Sequence, residues 1–355
     1  MRDIRLFFMT VISCSRMRGA KVAVVGAGVV GLSTAVCIAE TLPGCSVTLM
    51  ADKFSPRTTS DGAAGILCTE QYPDIPLERQ RCWFRDTFDH LLAIAQSRHA
   101  PEAGVLLSSG VQIFREPPAN KRPYWWDIVF GFRFLSEREL RRFPEHTFGQ
   151  AFTTIKCECS SYLPWLQHKF TKAGGKLVEK KVSSLEELSP DYHVIVNCSG
   201  LGSKELVGDV GLVPVRGQVL KVDAPWLKNF VRQEEGKSYI YPGSSYVTVG
   251  GTRQEGDWRL AVDPGDTEAI LERCTRLEPS LCRGRMLGQW VGLRPSRRNP
   301  RVERAGQRLG GGRGAHVVHN YGHGGYGVSL AWGTAVDATG LVRSCLQEMH
   351  LQAKL

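Results

Sequence analysis

The chain has 355 residues, with 45 Lys and Arg against 35 Asp and Glu, for a formal charge of +10. With 42% hydrophobic and 23% charged residues it can fill a core in more than one lobe, which excludes a disordered or fibrous protein. Its basic residues are dispersed among acidic ones, the densest run being Arg294 to Arg301, and no nucleic-acid-binding signature accompanies them. The excess charge suits small anionic substrates, not a nucleic acid.

Residues 1–16 hold Arg2, Arg5 and a short apolar run from Leu6 to Ile12. That run is too short to cross a bilayer, so the segment is expected to be an extension ahead of a fold beginning near Met17. Lys21 to Ala35 then reads as a buried strand, a glycine turn and the start of a helix. Gly26, Gly28 and Gly31 fall on G-x-G-x-x-G: Gly26 for the turn, Gly28 for close approach of a pyrophosphate, Gly31 for packing helix on strand. The helix N-terminus offers free N–H groups to phosphate. A second strand from Cys45 to Met50 leads to Asp52, about 20 residues past the last glycine, where an acid meets an adenosine ribose. Together these predict a dinucleotide site.

Thr58 to Gly65 is a loop of hydroxyl and small residues that can press against a ligand. Helical spacing runs from Trp83 to Gln96. Ser136 to Glu139 is a capping box ahead of a short helix. A helix from Ser160 to Ala173 closes at Gly174. Strands follow at Lys176 to Val182 and His193 to Cys198. From Val213 to Val249 the pattern alternates, with a strand from Val219 to Asp223 and a hairpin from Ser238 to Val249 turning at Pro242 and Gly243. This β-rich block lies between nucleotide-type segments, which predicts a substrate domain inserted into a cofactor domain. Arg232 opens a loop to Lys237 that reads as a mobile lid, and Arg253 follows a strand end as a pocket wall. A helix spans Glu268 to Leu277 and a strand Gln289 to Leu293. Along that strand Trp290, Gly292 and Arg294 share one face. An arginine beside a glycine leaves room for a ligand, and its planar fork fits a carboxylate.

Val317 to Gly327 is a second strand and glycine loop before a helix, with Gly322, Gly324, Gly325 and Gly327 free to approach a flat ligand. A nicotinamide enzyme needs no such second segment. A flavin does, because reduction places negative charge near N1 and C2=O, which a helix N-terminus stabilises. FAD is therefore expected over NAD. The eleven cysteines are scattered, Cys157 and Cys159 being the only close pair, and no ligand set for a metal is present. Ala353, Lys354 and Leu355 form a variant of the Ser-Lys-Leu peroxisomal address, which predicts an import-receptor partner and a peroxisomal location.

These segments, with Val215 to Gln218 and Gly292 to Pro295, resemble the D-amino-acid oxidase family from about Met17 to the tail. The resemblance implies an α/β fold with a Rossmann-like FAD-binding domain (17–70, 153–212 and 300–345), an inserted antiparallel β-rich substrate domain (71–152 and 213–299) and a targeting tail (346–355). It implies FAD-dependent oxidative deamination of a D-amino acid, with oxygen as acceptor, to a 2-oxo acid, ammonia and hydrogen peroxide. Arg294 and the Tyr239 hydroxyl would hold the α-carboxylate, and the Gly325 carbonyl the amine. Arg232 and Arg253 would meet a side-chain carboxylate, which points to D-aspartate and D-glutamate. Without that role the neutral D-amino acids are the alternative. The flavin would lie against Gly26, Ala27, Gly28, Val29, Val30, Gly31, Asp52 and Lys53, then Thr58, Thr59, Ser60, Gly65 and Ile66. Val182, Gly200, Gly322, Gly324, Gly325, Tyr326 and Gly327 would complete its site.

Hydride transfer to flavin N5 needs no protein base, so His319 and His323 are expected to support the flavin loop. Ile66 to Gln71 departs from the family pattern, and Tyr326 looks more like the neutral-substrate branch. Other classes compatible with parts of the pattern are an NAD-dependent dehydrogenase and a nucleotide-binding regulatory protein. The second has no use for a carboxylate clamp.

Overall fold

The computed structural model describes residues 19–309 and 314–352. The expected N-terminal extension and the Ala353–Leu355 signal lie outside them. In chain order the main elements are β1 (Lys21–Val25), α1 (Val29–Thr41), β2 (Ser46–Ala51), α2 (Leu77–Ala95), β3 (Val105–Phe114), β4 (Phe130–Phe134), β5 (Phe148–Cys157) and α3 (Cys159–Lys172). Then come β6 (Lys176–Glu179), β7 (Val194–Asn197), β8 (Val213–Asp223), β9 (Phe230–Gln233), β10 (Tyr239–Pro242), β11 (Val247–Gly250) and β12 (Gln254–Glu255). The chain continues through α4 (Pro264–Leu277), β13 (Arg285–Arg304), β14 (His316–His323) and α5 (Gly327–Gln352).

Strands β14, β7, β1, β2 and β6 form a parallel unit in that order. Both faces are covered, which is why β1 is apolar at consecutive positions. Val22 and Val24 pack with Leu32 and Val36 of α1, Trp83 and Phe84 of α2, and Leu330 and Val342 of α5. Ala23 and Val25 face the other way, onto Ile195, Val317, Leu185 and Leu188. A Cβ on Gly333 would overlap the Trp83 backbone, so this glycine sets the close crossing of α5 over α2.

The remaining strands form a largely antiparallel unit, β4-β5-β3-β9-β10-β11-β8-β13, backed by Ile270, Cys274 and Leu277 of α4. The 20-residue β13 joins the two units. Arg285 to Ser296 pairs with β8, Arg301 to Arg304 pairs with β14, and a bulge lies between. The sequence predicts only its middle, because Pro295 and Pro300 interrupt the pattern. In the sheet Pro295 lies opposite Pro214. The expected boundaries at 152/153 and 299/300 fall inside β5 and β13. The lid expected from Arg232 to Lys237 is corrected at its start: Arg232 is in β9, paired with Tyr239 of β10 and Gln112 of β3. No helix among the described residues is long and apolar enough to cross a membrane.

Candidate active site

A cavity of about 660 Å³ runs between the two units. At one end are Asp52, Lys53 and the β1–α1 turn, and at the other Arg232, Tyr239 and Tyr241. Every residue expected in the site lines this cavity except Gly31. Gly31 has the packing role its place in the motif gives it, since a Cβ there would strike the Gly26 carbonyl and crowd Cys198. Gly26 sits at φ 109°, which favours glycine, and its N–H donates to the Met50 carbonyl at 2.8 Å.

Two helices present their first residues to the cavity, Val29 and Val30 of α1 and Gly327, Val328 and Ser329 of α5. Gly28 has no side chain to cap α1, and its first turn carries no acid, so no charge of the chain offsets the positive end of its dipole. The Ser60 hydroxyl accepts the Val29 N–H at 3.0 Å. The loop bearing it is stiffened by Asp61, whose carboxylate accepts the Thr58 N–H at 2.9 Å and hydroxyl at 2.7 Å. A glycine cradle, a helix terminus free of acidic residues and an acid at the end of β2 fit the adenosine diphosphate part of FAD. Val182 lines the cavity just after β6, which pairs with β2 beside Asp52, and Gly200 and the Gly322–Gly327 loop line it as well.

That end follows from strand alternation. Val215, Gly217 and Val219 of β8 line the cavity, while Arg216 and Gln218 point away. Arg216 is fully buried, donating to Asp266 at 2.7 Å, Gln254 at 2.6 Å and the Arg259 and Ala261 carbonyls at 3.0 and 2.7 Å. Trp290, Gly292 and Arg294 line the cavity from β13. Arg294 pairs in register with Val215, and its guanidinium lies over Gly217, where a Cβ would collide with it. It donates to the Thr252 carbonyl at 3.0 Å. Among the described residues no carboxylate lies within 4 Å of Arg294 or Arg232.

Tyr239 is buried beside Arg294, with room made by Gly250 and Gly251, at either of which a Cβ would crowd its ring. Burial raises its pKa, with Arg294 and Arg232 opposing, so the phenol is a neutral donor at physiological pH. Tyr241 stacks on Tyr239 with centroids 4.5 Å apart. Arg232 is 6% exposed, has Nε without a partner, and sets Nη1 against the Cys68 thiol. Burial raises the Cys68 pKa although Arg232 opposes it. Arg253 differs: its side chain is 48% exposed and lies 3.7 Å from the Glu70 carboxylate. It also borders a second cavity of about 340 Å³. Gly325 sits close to Arg294, a Cβ there lying 3.3 Å from Cδ. Burial first, then Glu70, raises the Tyr326 pKa.

His323 reaches the cavity wall and shares a hydrogen bond with Thr334 at 3.2 Å. Burial depresses both His323 and His319 to about 4, so neither carries charge at neutral pH. Among the lining residues not assigned a role from sequence are Tyr241, Gly217 and Cys68 at the substrate end. Tyr241 lies two residues beyond Tyr239 on the same face, and Gly217 is the cross-strand neighbour of Gly292. Alternation could have found both. Cys68 carries no sequence signal.

A sequence model described as FAD dependent oxidoreductase matches residues 21–341. Human D-aspartate oxidase is 52% identical over 339 residues, spanning 94% of this chain and 98% of the human protein. D-amino-acid oxidase of Rubrobacter xylanophilus is 41% identical over 336 residues, spanning 93% and 99%. The crystal structure of glycine oxidase from Geobacillus kaustophilus superposes with a TM-score of 0.72 at 20% identity, covering 93% of this chain and 95% of that one. The chain belongs to the D-amino-acid oxidase family of FAD-dependent oxidoreductases.

Proposed function

We propose that this chain oxidises acidic D-amino acids, D-aspartate and D-glutamate, to the 2-oxo acid, ammonia and hydrogen peroxide. The observation that carries the reading is Arg232, a guanidinium buried in the cavity wall with no carboxylate among the described residues within 4 Å. A buried cation is costly unless something anionic offsets it. Arg294 already supplies a separate site for the α-carboxylate, so Arg232 is free for a second one. Two fixed cations on one wall suit a dicarboxylate. A neutral side chain would leave Arg232 unpaired, and that penalty rejects it.

FAD, when bound, accepts the hydride equivalent from the substrate α-carbon and passes the electrons to oxygen. The chain positions and shields. Arg294 with the Tyr239 hydroxyl fixes the α-carboxylate, the Gly325 carbonyl accepts from the amine, and Arg232 fixes the far carboxylate. Three anchored points fix the orientation of the α-carbon, and Trp290 and Tyr241 exclude water beside it. No side chain is assigned a proton transfer. The Ala353–Leu355 tail supports delivery to the peroxisome, where the peroxide is contained. A fluorescent protein carrying the last ten residues should enter peroxisomes and should stay outside when Leu355 is deleted.

The activity is tested by peroxide release from the FAD-loaded protein with D-aspartate, D-glutamate, D-alanine and L-aspartate in parallel. Turnover confined to the two acidic D-substrates is expected. A preference for D-alanine would move the chain to the neutral branch.

A further inference from the structure

Glu70 stands just outside the cavity lining, on the segment Ile66–Gln71 whose Ile66 and Cys68 line it. The backbone of this segment is held firmly. Ser329 of α5 accepts the Cys68 N–H at 3.2 Å and donates to the Cys68 carbonyl at 2.8 Å. Trp125 donates to the Thr69 carbonyl at 2.9 Å, and Thr154 to that of Leu67 at 2.9 Å. The Glu70 side chain is 55% exposed, and its carboxylate lies 3.7 Å from Arg253. An anchored stalk therefore carries a loosely held anion to the cation expected to meet the substrate side chain.

We infer that Glu70 is a specificity-setting residue: its carboxylate competes with the side-chain carboxylate of an acidic substrate for Arg253. The inference rests on the acidic-substrate reading. Arg253 has one carboxylate already beside it, whereas Arg232 has none within 4 Å among the described residues. The two arginines thus differ in kind. Arg232 is a standing site for an anion, and Arg253 becomes available only as Glu70 turns away. The pair is exposed and long, which makes it weak enough to exchange. Such a pair alters an equilibrium by up to about fivefold, and repulsion between Glu70 and an incoming carboxylate adds to this.

The test uses the full FAD-loaded chain and two ligands that lack an amine and cannot be oxidised: succinate, with two carboxylates, and butyrate, with one. Dissociation constants are read from the perturbed flavin absorbance, apart from turnover. Glu70→Gln keeps the shape and removes the charge. It is expected to tighten succinate by about three- to tenfold, leave butyrate within a factor of about two, and lower KM for D-aspartate but not for D-alanine. In an Arg253→Ala background the same change should have less than about half that effect. Equal tightening of both ligands, no change in either, or an undiminished effect without Arg253 would overturn the inference. Succinate binding and D-aspartate turnover by the parent chain with no response to Glu70→Gln would sink this inference alone. Failure of the parent chain both to bind succinate and to oxidise D-aspartate would remove the acidic-substrate reading and this inference with it.

Discussion

Arg232→Met separates a functional cation from a structural one, because the two give opposite signs in two assays. The guanidinium is 6% exposed, its Nε has no partner, and its near neighbour is a thiol that burial keeps protonated. Removing one partner of a buried, hydrogen-bonded charge pair costs about 2–5 kcal/mol. If the other partner is the substrate's side-chain carboxylate, kcat/KM for D-aspartate should fall between about 30-fold and about 4000-fold. D-Alanine has no second carboxylate and should lose none of this, so the preference should narrow or reverse. The fold should not suffer. Replacing a buried, internally unpaired charge by an apolar side chain of similar length removes a desolvation cost, so stability should be unchanged or raised. Peroxide release with both substrates, beside thermal unfolding of the apoprotein, reads both effects. A lowered melting temperature with equal losses on D-aspartate and D-alanine would refute the reasoning and make Arg232 a structural group.

Arg253→Ala should cost less than about tenfold on D-aspartate, since the side chain is half exposed and already beside Glu70; a loss as large as that of Arg232→Met would contradict this. Gly217→Ala puts a Cβ into the Arg294 guanidinium. A shift of about 1 Å should lower kcat/KM by about 100-fold for acidic and neutral substrates alike, with flavin content unchanged in the absorbance spectrum. Gly31→Ala drives a Cβ into the Gly26 carbonyl, and overpacking of this kind costs about 1–3 kcal/mol, so the melting temperature should fall and FAD should be lost on dialysis. His319 and His323 have folded pKa values of about 4, below the ordinary 6.5 because of burial. The unfolded chain therefore binds more protons between pH 6.5 and 4, so their contribution to stability is complete above 6.5 and is lost as pH falls toward 4. Apoprotein melting temperatures across that window should drop, and the double variant His319→Gln, His323→Gln should flatten the slope.

The β1–α1–β2 start was legible because each residue in it has one physical job that no other residue type does as well. The strands between Val105 and Cys157 were not, although the Ser136–Glu139 capping box among them was. Gly110 sits mid-strand in β3, where it reads as a breaker, yet a Cβ there would collide with the Phe230 backbone of β9. A residue that signals a turn locally is here required by a neighbour 120 positions away. Strand β4 exposes Phe130 and Phe134 at the sheet edge, so its apolar pattern does not report a buried face. Arg232 was misplaced for a related reason. The following residues, Gln233 to Lys237, are polar and turn-like, and they masked the short β9 whose pairing depends on β3 and β10.

Arg216, Arg294 and Arg232 show where residue chemistry alone stops and register takes over. All three are arginines on strands of one sheet, and Arg216 and Arg294 lie almost opposite each other, since Arg294 pairs with Val215. Identity and burial do not separate them, because Arg216 is the most buried of the three. Partners do. Arg216 spends its guanidinium on Asp266, Gln254, Gln218 and two carbonyls, tying the chain from 254 to 266 onto β8. One position on, the pleat turns Gly217 to the other face, and the space it leaves holds the guanidinium of Arg294 against carbonyls only. Arg232 faces the same cavity two strands beyond β11 with still fewer internal partners. The sheet thus sorts its arginines by face: one whose donors are consumed within the fold, and two whose donors remain for anions brought from outside. The distance between those two, fixed by the strands from β9 across β10, β11 and β8 to β13 and not by any loop, is what would set the length of dicarboxylate accepted.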